Sequence, residues 1–126
     1  MRPNSDVYVA ALADVLRHLH RTEGARDTYA HTLTLLQQLA QTRPLSVEEQ
    51  SRRAICFARL GDKDAATSAL DTIAPGTENQ DMAYSRAVVA LLEGRTAAAS
   101  RYLKDAVRSG YPAMLIEMDP DFDDVP

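Results

Sequence analysis

Two stretches of the chain carry one pattern of residues: AICFARLGDKDAATSAL at positions 54–70 and AVVALLEGRTAAASRYL at positions 87–103. Both read A-x6-G-x4-A-x3-L, and their central glycines, Gly61 and Gly94, lie 33 residues apart. On either side of each glycine, apolar residues recur at three- and four-residue spacing, which is typical of amphipathic helices. Because glycine readily follows the end of a helix, the pattern predicts a repeat of helical hairpins with a turn at each glycine.

Capping signals and helix breakers indicate where the predicted helices begin and end. Ser46 with Glu49 and Thr77 with Gln80 form the S/T-x-x-E/Q capping box that opens a helix. Pro75 stops the helix that comes before the second box. The predicted fold is all-α, in a single domain of residues 1–126. Its predicted parts are hairpins at about 6–42, 46–74 and 77–109, followed by a cap helix and an acidic tail at 111–126.

The first predicted hairpin follows the pattern less closely. If Gly24 marks its turn, Arg17 and His20 replace the small and aromatic residues expected seven and four positions before it. Residues 6–42 are therefore interpreted as a degenerate copy of the repeat. The first helix is predicted to bury an apolar stripe that consists of Tyr8, Leu12, Val15, Leu16 and Leu19.

The repeat resembles the tetratricopeptide repeat family, whose period is about 34 residues. The resemblance covers residues 47–110. The next segment, LKDAVRSGYPAMLIEMDPDF at 103–122, resembles the closing part of repeat arrays attached to bacterial serine/threonine kinases and regulators. The resemblance implies an α-α superhelix of about three hairpins, closed by a short C-terminal cap helix that covers the last pair. It also implies protein binding.

Composition and charge argue against several classes of protein. The net charge is −4, and five carboxylates lie between Glu117 and Asp124, so the rest of the chain is nearly neutral and nucleic acid is not an expected partner. The apolar run from Val7 to Ala13 is too short to span a membrane. With one cysteine, no internal disulfide can form. We expect a cytoplasmic protein, and its arginine-rich, alanine-rich composition suggests a bacterial source.

Neither a catalytic site nor a metal site is predicted. His18 and His20 are two positions apart on a helix and point about 200° from each other, so they cannot share an ion. Asp119, Asp121 and Asp123 open like a calcium loop, but glycine at the sixth place and glutamate at the twelfth are missing, which favours a solvated acidic tail. Cys56 is expected to be a core residue. We therefore expect no enzyme activity and no cofactor.

The family resemblance places a partner in a concave groove lined by the first helix of each hairpin. The side chains carried over to that groove are Asp14, His18 and Arg21, then Ser51, Ile55, Ala58 and Arg59, then Tyr84, Val88 and Leu91. Arg59 and Tyr84 are the expected anchors, because arginine and tyrosine are residue types that often dominate interfaces. The alternative for Ile55, Val88 and Leu91 is that they pack between neighbouring hairpins.

Two functions are compatible with such a module. The first is an interaction module that binds a peptide or protein partner in a bacterial regulatory or scaffold assembly. The alternative is a small secretion chaperone of the tetratricopeptide type, which would sequester an export substrate in the same groove. A homodimer formed through the exposed face is a further alternative.

Overall fold

The computed structural model describes residues 5–73 and 80–123, and in these ranges it contains seven α-helices, one 3₁₀ turn and no strand. The all-α prediction is confirmed. The helices are α1 (Asp6–His18), α2 (Thr22–Thr42), α3 (Val47–Arg59), α4 (Lys63–Asp71), α5 (Gln80–Leu92), α6 (Thr96–Arg108) and α7 (Ala113–Glu117), with the 3₁₀ turn at Pro120–Phe122. The capping box at Thr77 and the breakers Pro75 and Gly76 lie outside the described residues.

The first six helices pack as three successive pairs, α1 with α2, α3 with α4 and α5 with α6. Neighbouring pairs meet where α3 packs against α2 and where α5 packs against α3. The third helix begins at the predicted capping box: the Ser46 hydroxyl accepts from the Glu49 N–H, and the Glu49 carboxylate accepts from the Ser46 N–H. No helix in the described ranges is both long enough and apolar enough to cross a bilayer.

The same turn joins the two helices of each pair. After α3, the Gly61 N–H donates to the Ala58 carbonyl and the Asp62 N–H donates to the Phe57 carbonyl. This pattern satisfies the last carbonyls of the helix and needs a left-handed residue, which is Gly61 at φ 84° here and Gly94 at φ 79° after α5. After α1, the left-handed residue is His20 at φ 60°.

The turn of the first pair was therefore predicted at the wrong residue. Gly24 lies inside α2, and His20 occupies the position of Gly61 and Gly94. Counted from His20, the first pair has Ala13 seven before, Ala25 five after and Tyr29 nine after, and all three side chains are buried. Their equivalents, also buried, are Ala54, Ala66 and Leu70 in the second pair and Ala87, Ala99 and Leu103 in the third. The first pair thus keeps both alanines and the burial pattern of the repeat, with His20 in place of glycine and Tyr29 in place of leucine. Part of its degenerate appearance came from the choice of Gly24 as the turn.

The structure also differs from the prediction in the face of α1 that is buried. The helix buries Val9 and Ala13, whereas four residues of the predicted stripe are 42 to 61% exposed: Tyr8, Leu12, Val15 and Leu19. Leu16, the fifth, is half-buried against the core of the first pair. In a stack of hairpins each pair is covered by its neighbours on both sides. The described part of the chain leaves this outer face of α1 largely uncovered.

Candidate binding surface on the first helices

The first helices of the three pairs, α1, α3 and α5, together form a continuous surface, here called the first-helix surface. A cleft of about 320 Å³ opens on it. Of the ten residues predicted to bind a partner, Asp14, Ser51, Ile55 and Tyr84 line this cleft. The rest of its lining comes mainly from Val7, Ala10 and Ala11 of α1, Glu48 and Arg52 of α3, and Tyr111.

The corrected register explains why these residues meet. Ala10, Ser51 and Tyr84 occupy equivalent positions, ten residues before the left-handed residue of each pair. Asp14 and Ile55 are equivalent one helical turn later. Positions four apart lie on one face of a helix, so the first helices present these side chains to the same side. Ala10 was missed because the first pair was counted from Gly24.

The C-terminal segment 111–122, here called the strap, contacts the remainder of the first-helix surface through Tyr111, Asp121 and Phe122. Its Asp121 carboxylate lies between two guanidinium groups from different pairs, 2.6 Å from Arg17 Nη1 and 3.1 Å from Arg59 Nη2. His18 Nε2 is 3.9 Å from Asp121 and 3.7 Å from Asp119. Three of these side chains, including the predicted His18 and Arg59, thus belong to one charged cluster on α1 and α3.

Tyr29 of α2 fixes the first of these arginines. Its hydroxyl donates to the Asp14 carboxylate and accepts from Arg17 Nε at 3.0 Å. Burial raises the pKa of Tyr29, and its hydrogen bond to the Asp14 carboxylate acts in the same direction. The hydroxyl therefore stays protonated at neutral pH and can serve both partners. The half-buried Arg17 therefore contacts Tyr29 through Nε and Asp121 through Nη1.

Aromatic contacts dock the strap against α5. The rings of Tyr84 and Tyr111 stack at 4.6 Å between centroids with a 6° angle between their planes. Phe122 meets Tyr84 edge-on, at 5.9 Å and 74°. Such stacked and edge-to-face pairs each contribute about 0.5–1.5 kcal/mol beyond the burial of area. Phe122 is itself buried, in a cluster with Ala87, Val88 and Leu103.

The prediction of a solvated acidic tail is wrong for Asp119 and Asp121, which are both largely buried. Burial alone would raise the pKa of Asp121, but the charges of Arg59 and Arg17 hold it below its ordinary value. The carboxylate is therefore ionised at neutral pH. Asp123 is exposed as expected, and Asp124 lies outside the described residues.

Other side chains that were predicted to bind a partner do not lie exposed on the first-helix surface. Ala58 is buried in a core cluster with Ala54 of α3 and Ala66 of α4. Val88 is fully buried in the cluster that contains Phe122. Leu91 packs against the same cluster. Ile55 of α3 packs partly against this cluster as well, so all three residues of the packing alternative make contacts within the molecule. Arg21 is exposed at the start of α2.

One group of side chains has the composition of a metal site. Ligand atoms of His18, Asp119 and Asp121 lie within 4.8 Å of one another. Arg17 and Arg59 already neutralise Asp121, and their charge opposes a metal cation at the same oxygens. The arrangement is better explained as an ion-pair network. Cys56, buried with Ala13 and Ala25, has its pKa raised to about 12 by burial and is not an activated thiol.

Comparison with known proteins identified no relative: the chain matches no family model, no curated protein and no solved structure. Any proposal about function therefore rests on the first-helix surface itself. That surface combines an open cleft, a charged cluster and an aromatic contact, and it already holds a segment of polypeptide.

Proposed function

We propose that this chain is a protein–protein interaction module of the tetratricopeptide type, which holds a peptide segment of its partner on the first-helix surface. The partner would belong to a bacterial regulatory or scaffold assembly, as the sequence resemblance implies, and we place that assembly in the cytoplasm. One observation carries the proposal. The first-helix surface binds the strap, a polypeptide segment, through contacts from all three pairs.

The open cleft supports the same function. Its volume, about 320 Å³, lies at the lower end of the range for ligand pockets, about 300–1,000 Å³, so it suits side chains of a peptide better than a large cofactor. Its lining mixes apolar area from Ile55 with the aromatic ring of Tyr84 and the charged groups Glu48 and Arg52. Peptide surfaces commonly combine such an apolar base with polar groups at the edge.

A blocking substitution tests the cleft. Ala11 is exposed on α1 and lines the cleft, so Ala11→Arg places a long charged side chain in the opening without removing any core contact. Ala97→Arg is the matched control, because Ala97 is an exposed alanine on α6 outside the cleft lining. Both variants should keep the wild-type melting temperature, since surface substitutions usually change stability by less than about 0.5 kcal/mol.

Peptides selected from a random display library on the wild-type chain provide the probe. We expect Ala11→Arg to weaken their binding at least tenfold, the equivalent of about 1.4 kcal/mol, and Ala97→Arg to leave it unchanged, as measured by calorimetry. Peptides that bind both variants equally well would show that the cleft is not the binding site. A library that yields no peptide of micromolar affinity would count against the function itself.

A further inference from the structure

The strap is attached to the first-helix surface at its two ends, and between them the half-buried Ile116 packs against the apolar cluster that contains Val88 and Leu103. Tyr111 stacks on Tyr84 at one end, and the adjacent residues Asp121 and Phe122 make the ionic and aromatic contacts at the other. The helix between them, α7, has five residues, none of which is buried. Its apolar side chains Met114 and Leu115, and Met118 at its end, are 65, 54 and 72% exposed.

An open groove separates part of the strap from α6. Its volume is about 610 Å³. It is lined largely by apolar side chains from both elements, among them Leu103, Val107, Ile116 and Phe122. The groove is open to solvent, and charged side chains such as Lys104 and Glu117 stand along it. The strap therefore lies over α6 without the close packing that joins α5 to α6.

The charged cluster also retains an unused donor. The Arg59 side chain is only 7% exposed, and its Nε is buried without a hydrogen-bond partner among the described residues. Asp121 uses Nη2 of this guanidinium and reaches it at 3.1 Å, a longer contact than the 2.6 Å to Arg17. A ligand that offered a second acceptor at Arg59 would satisfy a donor that the strap leaves unpaired.

We propose that the strap is an internal ligand of the first-helix surface, and that the partner displaces it with a segment of the same chemistry. That segment carries a carboxylate for Arg17 and Arg59, followed directly by an aromatic side chain for the site of Phe122. This inference rests on the proposed peptide-binding function and names the class of peptide for the part of the first-helix surface that the strap occupies, beside the open cleft. The strap then lowers the apparent affinity of the surface for the partner segment. A competitor that belongs to the same chain acts at an effective concentration in the millimolar range.

The test uses the full chain and a fluorescein-labelled peptide with the sequence of residues 117–123, EMDPDFD. Asp121→Asn removes the charge of the internal ligand and leaves Arg17, Arg59 and Phe122 in place. We expect the peptide to bind Asp121→Asn at least tenfold more tightly than it binds wild type, as measured by fluorescence anisotropy. Adding Arg59→Ala to Asp121→Asn should abolish the gain. A peptide with asparagine and alanine at the positions of Asp121 and Phe122 should bind neither protein.

Hydrogen exchange on the wild-type chain gives a second measurement that does not depend on the variant. Excess peptide should accelerate exchange in residues 111–122 and leave α3 and α5 protected. Equal peptide binding by folded wild type and Asp121→Asn, or a strap that stays protected at saturating peptide, would overturn the proposal. A concentration-dependent dimer that Asp121→Asn abolishes would make a second copy the occupant, and would overturn it too. Ala11→Arg should not affect this peptide, so a failure here is distinguishable from a failure of the cleft.

Discussion

His20 is the residue on which the register of the first pair depends. Its φ of 60° places a residue with a Cβ in the left-handed region, whereas the equivalent turns use Gly61 and Gly94. Such a conformation costs an ordinary residue about 1–2 kcal/mol. Gly24, by contrast, is helical, and a Cβ added to it would meet only Leu16 Cδ1, at the ordinary contact distance of 3.7 Å.

Three substitutions at these positions should separate the two registers. We expect Gly24→Ala to stabilise the protein by about 0.4–1 kcal/mol, because alanine restricts the unfolded chain and favours the helix. His20→Gly should also stabilise it, by up to about 1 kcal/mol, through release of the left-handed strain. Gly61→Ala should destabilise it by a similar amount. Urea unfolding gives the three values, and a loss of stability in Gly24→Ala would restore Gly24 as the turn residue.

Glu49 gives the stability a specific dependence on pH. The hydrogen bonds from Arg43 lower the pKa of Glu49 to about 2, although desolvation alone would raise it. The hydrogen bond from the Ser46 N–H of the capping box also lowers this pKa. A carboxyl group with a depressed pKa stabilises the folded state above its ordinary pKa, and this contribution is lost as the pH falls. The loss should therefore occur between about pH 4.5 and about pH 2.

Glu49→Gln isolates that contribution, because glutamine can still accept from the Ser46 N–H but does not titrate. We expect the free energy of unfolding of wild type to fall more steeply than that of Glu49→Gln as the pH drops from 4.5 to 2. Chemical denaturation at a series of pH values measures the difference. Parallel curves for the two proteins would mean that Glu49 has the same pKa in the folded and unfolded states.

At the scale of elements, the sequence predicted the helices better than the turn that joins the first two. Glycine, proline and the Ser46 capping box mark most helix ends with residues that have a direct backbone role. The turn at His20 carries no such mark, because a non-glycine residue fills it. The missing signal was the spacing of Ala13, Ala25 and Tyr29 from His20, which matches the spacing around Gly61 and Gly94. Apolar periodicity also predicted the wrong buried face of α1. The exposed outer stripe of this helix is more apolar than its buried face. The buried face includes a small residue, Ala13, because the two helices of the pair lie in close contact.

The tight crossing between α5 and α6 can be tested directly. Ala99 is fully buried, and Ala97, two positions away, is exposed. Ala99→Leu should destabilise the protein by about 1–3 kcal/mol, because the larger side chain forces the two helices apart. Ala97→Leu should change stability by less than about 0.5 kcal/mol. Thermal unfolding compares the two variants. Equal melting temperatures would show that Ala99 does not face α5 while Ala97 faces solvent.

At the scale of the whole molecule, the strap connects all three pairs. Its contacts reach Arg17 in the first pair, Arg59 in the second and Tyr84 in the third. The first two span 104 and 62 residues along the chain, and no local pattern encodes a contact at such separations. This is why the sequence predicted Arg59 and Tyr84 on the first-helix surface but not that the strap covers them. Their replacement by alanine is consequently expected to lower the stability of the protein, because it removes contacts to the strap.

The pair of Arg59 and Asp121 should contribute measurably to the stability of the whole array. Both side chains are largely buried, at 7 and 19% exposure, so their attraction is poorly screened by solvent. A double-mutant cycle of Arg59→Ala and Asp121→Asn should give a coupling free energy of about 1–3 kcal/mol in urea unfolding. The value should persist at high salt.

Arg108 and Asp105 provide the matched control for that cycle. They form an ion pair at 3.4 Å within α6, with side chains 76 and 54% exposed. The corresponding cycle of Arg108→Ala and Asp105→Asn should give a coupling below about 0.5 kcal/mol that disappears in high salt, as exposed pairs within a helix do. If the two cycles agree, the strap adds no more to the fold than a surface ion pair does. If only the first coupling is large and independent of salt, Asp121 joins the first and second pairs in solution, and the strap is a structural part of the array until a ligand replaces it.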